Sequence, residues 1–188
     1  MSGNGSHHLY IEGTGSFQTI AGITYRNDHG ELQINEDGAP ANMDELPFVY
    51  DHLEDFSHKI IYYESSRGCP FRCAYCLSSL EKKLRFRSLD LVKKELGFFL
   101  QAKVPQVKFL DRTFNCNPRR TVDLWQWILD HDNGITNFHF EIAADLITEE
   151  ELAIMEQMRP GLIQLEIGVQ STNPQTIKAI RRTMDFEK

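Results

Sequence analysis

Apolar residues return along most of the chain in two alternating rhythms. Residues 60–63, 107–110, 138–142 and 162–167 are short runs rich in Ile, Val, Leu, Phe and Tyr, of strand length. Between and after them apolar positions fall at helical spacing. Leu89, Val92, Leu96, Phe99 and Leu100 follow Ser88, which is suited to cap a helix. Val122, Trp125, Ile128 and Leu129 follow Asn117 and Pro118, a cap with proline at the first helical position, and Gly134 stands where it can end that helix. Leu152, Met155 and Met158 follow Thr148 and Glu151, which form a capping-box pattern. Ile177 and Ile180 follow a second Asn–Pro pair, Asn173 and Pro174. Strand and helix alternate four times. That order predicts an α/β fold with a parallel sheet and right-handed crossovers. One helix per strand makes it a partial parallel (βα) barrel, TIM-like in kind. Four units do not close such a barrel, so the sequence is expected to be part of a longer polypeptide.

The first 56 residues read differently. Gly, Asn and Asp punctuate them, and no helical period is sustained. Residues 19–25 and 31–34 flank Asn27 to Gly30, a pattern that predicts a small β-hairpin. Residues 36–47 read as a linker. The expected organisation is a small β-rich extension over residues 1–56 and a core over residues 57–188. The first eight residues lack the apolar stretch of a secretion signal, and His7 and His8 fit a tag remnant.

Charge narrows the function classes. The chain has 27 acidic and 20 basic residues, a net charge of −7, which argues against broad nucleic-acid binding through phosphates. No apolar run is long enough to span a membrane. Three of the four cysteines, Cys69, Cys73 and Cys76, fall within eight residues, and Cys116 stands alone. In the reducing cytoplasm expected for a chain without a secretion signal, clustered cysteines bind metal more often than they form disulfides.

In parallel α/β folds the chemistry sits at the carboxyl ends of the strands. Here the first strand run leads into the cysteine cluster, the second into Asp111 to Cys116, the third into Ala143 to Asp145, and the fourth into Gly168 to Asn173. Thiols and polar groups therefore gather at one rim. Three thiolates on one loop can ligate three irons of a [4Fe–4S] cube and leave one iron open, whereas such clusters normally take four ligands. The C-x3-C-x2-C spacing differs from ferredoxin runs and from paired zinc knuckles. A zinc site completed by Cys116 or a histidine, in a non-enzymatic binding module, is the competing reading. Cys116 otherwise reads as a small buried residue, Asp111 and Arg112 as a local salt bridge, Asp145 as a helix cap, His139 as a structural histidine, and Arg181 and Arg182 as a solvated face. Trp125 and Trp127, two apart on a helix, cannot share one face.

The cysteine spacing, with Tyr75 before the last thiol, matches the signature of the radical S-adenosylmethionine (SAM) superfamily. Residues 166–171 resemble the E-x-G-x-Q-S segment of its methylthiotransferase, Elongator and coproporphyrinogen-dehydrogenase branch. Residues 44–48, 62–71, 85–88 and 111–115 are similar to the group whose barrel follows a cobalamin-binding domain; many of those proteins are methyltransferases. The resemblance implies a [4Fe–4S] cluster on Cys69, Cys73 and Cys76, with SAM on the open iron. It also implies reductive cleavage of SAM to a 5′-deoxyadenosyl radical, for methyl transfer or related chemistry on an unknown substrate. It places Tyr75 near the adenine, and Asp111, Glu166 and Gln170 toward SAM, although the Gly-Gly-Glu form of the second-strand motif is absent. A flavodoxin- or ferredoxin-type electron donor is implied. Residues 1–43 are too short for a cobalamin domain, so cobalamin is expected only if a separate or missing domain supplies it. A coproporphyrinogen-dehydrogenase-like or methylthiotransferase-like enzyme is the alternative within the same superfamily.

Overall fold

A computed structural model of the protein describes residues 17–50, 59–81 and 83–185. The described chain falls into two compact units, one ending at Ala41 and the other starting at Asn42. The expected boundary near residue 56 and the reading of the first eight residues lie outside the described residues.

The first unit holds the expected hairpin. Strands β1 (Thr24–Arg26) and β2 (Leu32–Ile34) pair antiparallel, with Tyr25 opposite Gln33. The Asn27 side chain organises the turn by accepting from the backbone of His29 and Glu31. Gly30 takes a positive φ of 78° there, which a residue with a side chain rarely adopts.

The second unit is built on a parallel sheet in the order β3 (Ile61–Tyr63), β6 (Gln106–Phe109), β7 (Asn137–Ile142), β8 (Ile163–Ile167). A separate two-stranded ribbon, β4 (Ser66–Arg67) with β5 (Arg85–Phe86), interrupts the sequence between β3 and the first helix. Helices α1 (Leu89–Gln101), α2 (Pro118–Asp130), α3 (Glu149–Met155) and α4 (Pro174–Ala179) complete the repeating strand–helix order. The sheet is thus a barrel wall four strands wide. Among the described residues no helix is long and apolar enough to cross a membrane.

The two faces of this sheet differ because side chains alternate along each strand. One face carries Ile61, Tyr63, Val107, Phe109, Phe138, Phe140 and Ile142, all buried against the helices. Phe140 lies 4.5 Å from Phe109 and 4.3 Å from Phe114, ring centre to ring centre, and Phe114 stacks on Trp125. The other face carries Tyr62, Lys108, His139, Glu141, Gln164 and Glu166. A closed barrel ordinarily fills that inner face with branched apolar side chains. Here it is polar, which fits a face that lines a site.

Caps set the helix starts. Asn117 and Asn173 accept from the first helical amides, and Thr148 and Glu151 form the reciprocal box. Ser88 differs: its side chain makes no cap bond, and its own backbone N–H donates to Asp44 Oδ1 at 2.7 Å. Helix α2 stops at Asp130, and Gly134, expected to end it, instead serves the turn after it with φ at 74°. Helix α3 buries Glu151 and Ile154, while Leu152, expected inward, is exposed. Tertiary packing selects the face in a helix this short.

Residues 42–50, read from the sequence as part of the linker and extension, pack into this second unit. The buried Arg87 guanidinium donates to the carbonyls of Met43 and Leu46 and forms a two-bond pair with Glu95, which also accepts from Tyr63 Oη at 2.6 Å. Phe48 and Tyr50 pack their rings on Phe99. Removing one partner from a buried ion pair leaves a charge without compensation. Arg87→Met is therefore expected to cost about 3 kcal/mol of stability, measured by urea denaturation. Arg87→Met combined with Glu95→Leu should recover part of that loss.

Candidate functional site

The cysteine loop leaves β3, runs through the ribbon, and returns to α1. Its geometry starts at Gly68, whose φ is 98° and where a Cβ would stand 2.6 Å from the Lys83 carbonyl oxygen. Only glycine lets the two arms of the loop approach this closely. Beyond it Cys69, Cys73 and Cys76 are free thiols, Cys73 buried and the other two half-buried. The Cys76 amide donates to the Cys73 carbonyl, and the Cys76 carbonyl accepts from Ser79, so the last two thiols sit on a short hydrogen-bonded turn. The Ala74 amide donates to the Ile180 carbonyl at 2.8 Å, which ties the loop to the residue after α4.

A second loop, after β6, holds the first. Asp111 is 1% exposed; its carboxylate accepts from the Ser65 amide at 2.8 Å, Ser65 Oγ at 2.7 Å and Ser66 Oγ at 2.5 Å. Arg120, also buried, donates to the Ser65 carbonyl. Asn115 gives its amide N–H to the Ala143 carbonyl and accepts from the Ala143 amide, so a side chain stands in for a strand pairing. Burial pushes the Asp111 carboxyl above its ordinary range, against the opposing pull of the serine bonds.

The three thiols line one cavity of about 230 Å³, together with Tyr75, Arg112, Thr113, Glu141, Glu166, Gln170 and Arg182. The structure thus brings together Cys69, Cys73, Cys76, Tyr75, Glu166 and Gln170 from the sequence reading. Asp111 stands apart, with its carboxylate turned away from the cavity into the serine network. Cys116 also does not line the cavity, and burial pushes its thiol up to about 11. Among the described residues no three His, Cys, Asp or Glu side chains gather closely enough to hold a single ion. Three thiols around one space, without a fourth, fit a cube in which three irons each take one thiolate and the fourth iron is left for another ligand.

Glu166 reaches across the inner face. Its Oε2 lies 3.0 Å from Lys108 Nζ and 3.2 Å from His139 Nε2. The Lys108 ammonium holds this carboxyl below its ordinary range. His139, read from the sequence as structural, is thus part of the polar wall under the cavity. Gln170 sits at a φ of 66°, and its side chain folds over Gly168, where a Cβ would stand 2.6 Å from Gln170 Nε2.

Arg182 is the residue the sequence reading missed. Its guanidinium donates to the Gly168 carbonyl, lies 3.4 Å from Tyr75 Oη and 4.0 Å from Cys73 Sγ, and keeps a buried Nε–H that has no partner among the described residues. Arg181 before it takes a left-handed φ of 54°, which turns the chain back toward the thiols. No pattern announces that turn, because left-handed positions favour Gly or Asn over Arg. Thr113, likewise missed, places Oγ1 3.5 Å from Cys69 Sγ.

A protein-family model, the radical SAM superfamily, matches residues 63–188. An uncharacterized methyltransferase of Pyrococcus horikoshii is 28% identical over 172 residues, covering 86% of this chain and 36% of that protein. The ribosomal protein uS12 methylthiotransferase RimO of Bdellovibrio bacteriovorus is 26% identical over 185 residues, covering 92% of this chain and 40% of RimO. Among solved structures, the cobalamin-dependent SAM radical enzyme OxsB superposes with a TM-score of 0.75 at 21% identity, over 97% of this chain and 28% of OxsB. The radical SAM methyltransferase TsrM from Kitasatospora setae gives 0.71 at 15% identity, over 96% of this chain and 39% of TsrM. The chain spans well under half the length of each.

Two outcomes follow from the loop geometry. Gly68→Ala forces a left-handed alanine into a backbone carbonyl, so stability should fall by about 1–3 kcal/mol and iron uptake on anaerobic reconstitution should drop with it. A buried acid with a raised pKa stabilises the fold below its unfolded pKa, and that stability is lost as pH rises through the folded pKa. Urea midpoints measured from the ordinary aspartate range upward should therefore fall with pH, and Asp111→Asn should flatten that slope.

Proposed function

The chain belongs to the radical SAM superfamily, and from that premise we propose that it carries the cluster and cofactor site of a radical SAM enzyme acting in methyl transfer or related carbon-centred chemistry. The observation that carries this reading is the single cavity shared by Cys69, Cys73, Cys76, Tyr75, Glu166, Gln170 and Arg182. Cys69, Cys73 and Cys76 would hold a [4Fe–4S] cluster, and SAM would occupy the rest of the space. When bound and reduced, that cluster supplies the electron that cleaves SAM to a 5′-deoxyadenosyl radical.

The chain's own groups bind and orient. Arg182 is the cation of the cavity lining that lies beside Tyr75 and Cys73, which suits the SAM carboxylate. Glu166 and Gln170 offer acceptors and donors to ribose hydroxyls, and Tyr75 supplies an aromatic wall for the adenine. Lys108 and His139 hold the Glu166 carboxylate in place from below. Thr113 Oγ1 lies beside Cys69 Sγ, and its hydroxyl, which donates to the Arg112 carbonyl here, would tune the cluster by turning to a Cys69 thiolate. Asp111 positions the loop through Ser65 and Ser66, and with its carboxylate committed to them it would act on the cofactor only through that loop. Reduction would come from a flavodoxin- or ferredoxin-type donor, and cobalamin, if used, from a domain other than residues 1–43. The relation to RimO favours methylthiotransfer as the second reading.

Anaerobic reconstitution with iron and sulfide, followed by EPR of the reduced protein, tests the assignment. The expected result is a four-iron cluster signal that changes when SAM is added and disappears in Cys73→Ala. A colourless protein with one tightly bound zinc would overturn it. Arg182→Gln should retain the cluster signal and weaken SAM binding by about tenfold or more, the scale of a charged hydrogen bond, read by equilibrium dialysis of labelled SAM.

A further inference from the structure

A second cleft, of about 580 Å³, adjoins the cluster cavity and shares Ser78 and Arg112 with it. Its apolar lining is Leu77, Leu80 and Leu110, which are 83%, 76% and 39% exposed. Leu77 and Leu80 stand on the short turn that follows the last cysteine, held out of the core. Leucines presented this way beside a cavity mark a surface that binds something apolar.

The charges of the cleft sum to zero but do not all pair within it. Its charged lining residues are Glu64, Arg67, Glu81 and Arg112. Glu64 and Arg67 neutralise each other through two hydrogen bonds, and Glu81 is taken by Arg85. Arg112 is exposed, and among the described residues its guanidinium has no partner. One free guanidinium above an apolar floor is a receptor for a molecule with a hydrocarbon body and an anionic end, because arginine pairs with carboxylate or phosphate through two parallel hydrogen bonds.

We propose that this cleft is the substrate site and that the substrate is an amphipathic organic anion whose acidic group pairs with Arg112 while its carbon body covers Leu77, Leu80 and Leu110. Arg112 lines both spaces, so an anion held there lies beside the cluster cavity. The proposal rests on the radical SAM reading, since it makes the cleft's ligand the acceptor in that reaction.

The test uses naphthalene-1-carboxylate and the uncharged naphthalene-1-methanol as probes, in equilibrium dialysis against the reconstituted chain. The expected result is at least about tenfold tighter binding of the acid, with that preference lost in Arg112→Gln and both probes weakened in Leu80→Ser. Arg112 is exposed, so its replacement leaves the fold intact. Equal binding of the two probes, no binding of either, or a preference that survives Arg112→Gln would overturn the proposal. The SAM-dependent EPR change is read on the same wild-type samples. Its absence beside intact probe discrimination would overturn the radical reading and with it the substrate assignment; its presence without discrimination would overturn the cleft alone.

Discussion

A carboxylate and an amide from one short loop, Asp111 and Asn115, join the ends of three strands. Asp111 takes the backbone and hydroxyls of Ser65 and Ser66 where the chain leaves β3, and Asn115 pairs with both backbone groups of Ala143 where it leaves β7. Parallel strands are joined to each other only through their ladders, and their exit loops have no ladder to continue. Side chains must then satisfy the backbone groups that emerge at the rim, since buried polar groups left unpaired are costly. The loop that carries the thiols is anchored this way from behind. Its front is left free to face the cavity.

The sheet divides the work between its faces. The aromatic layer of Phe109, Phe114, Phe140 and Trp125 supplies the apolar burial that fixes strand order. The opposite face is then free to be polar, and it is used for the ladder of Lys108, Glu166 and His139 below the thiols. A polar inner wall costs little while it faces water, and it gives the cavity a floor of fixed charge.

Anchoring extends to the start of the unit. The pair of Arg87 and Glu95 fastens residues 43–46, and Tyr50 Oη donates to the Tyr62 carbonyl on the edge strand β3. Residues whose composition reads as linker thereby become part of the core. Glycine, proline and acidic residues report only that a segment lacks a repeat. They do not report that a buried guanidinium elsewhere needs its carbonyls.

The sequence by itself determined the strand–helix order, the helix caps at Asn117, Thr148 and Asn173, and the thiol triad. Those features depend on spacing along the chain, and a period or a cap is local. The cysteine loop with Tyr75 and the segment with Gln170 fell at the rim because the carboxyl ends of parallel strands converge by topology, and the family resemblance added Glu166. Only the tertiary structure decided that Asp111 supports the loop and does not line the cavity, that His139 joins Glu166, and that Arg182 turns back to the thiols. Each of these is settled by which groups meet across tens of residues and by a left-handed turn at Arg181 that no residue preference encodes. The direction of a side chain at a rim is fixed by the partners that reach it, and those partners come from distant parts of the chain.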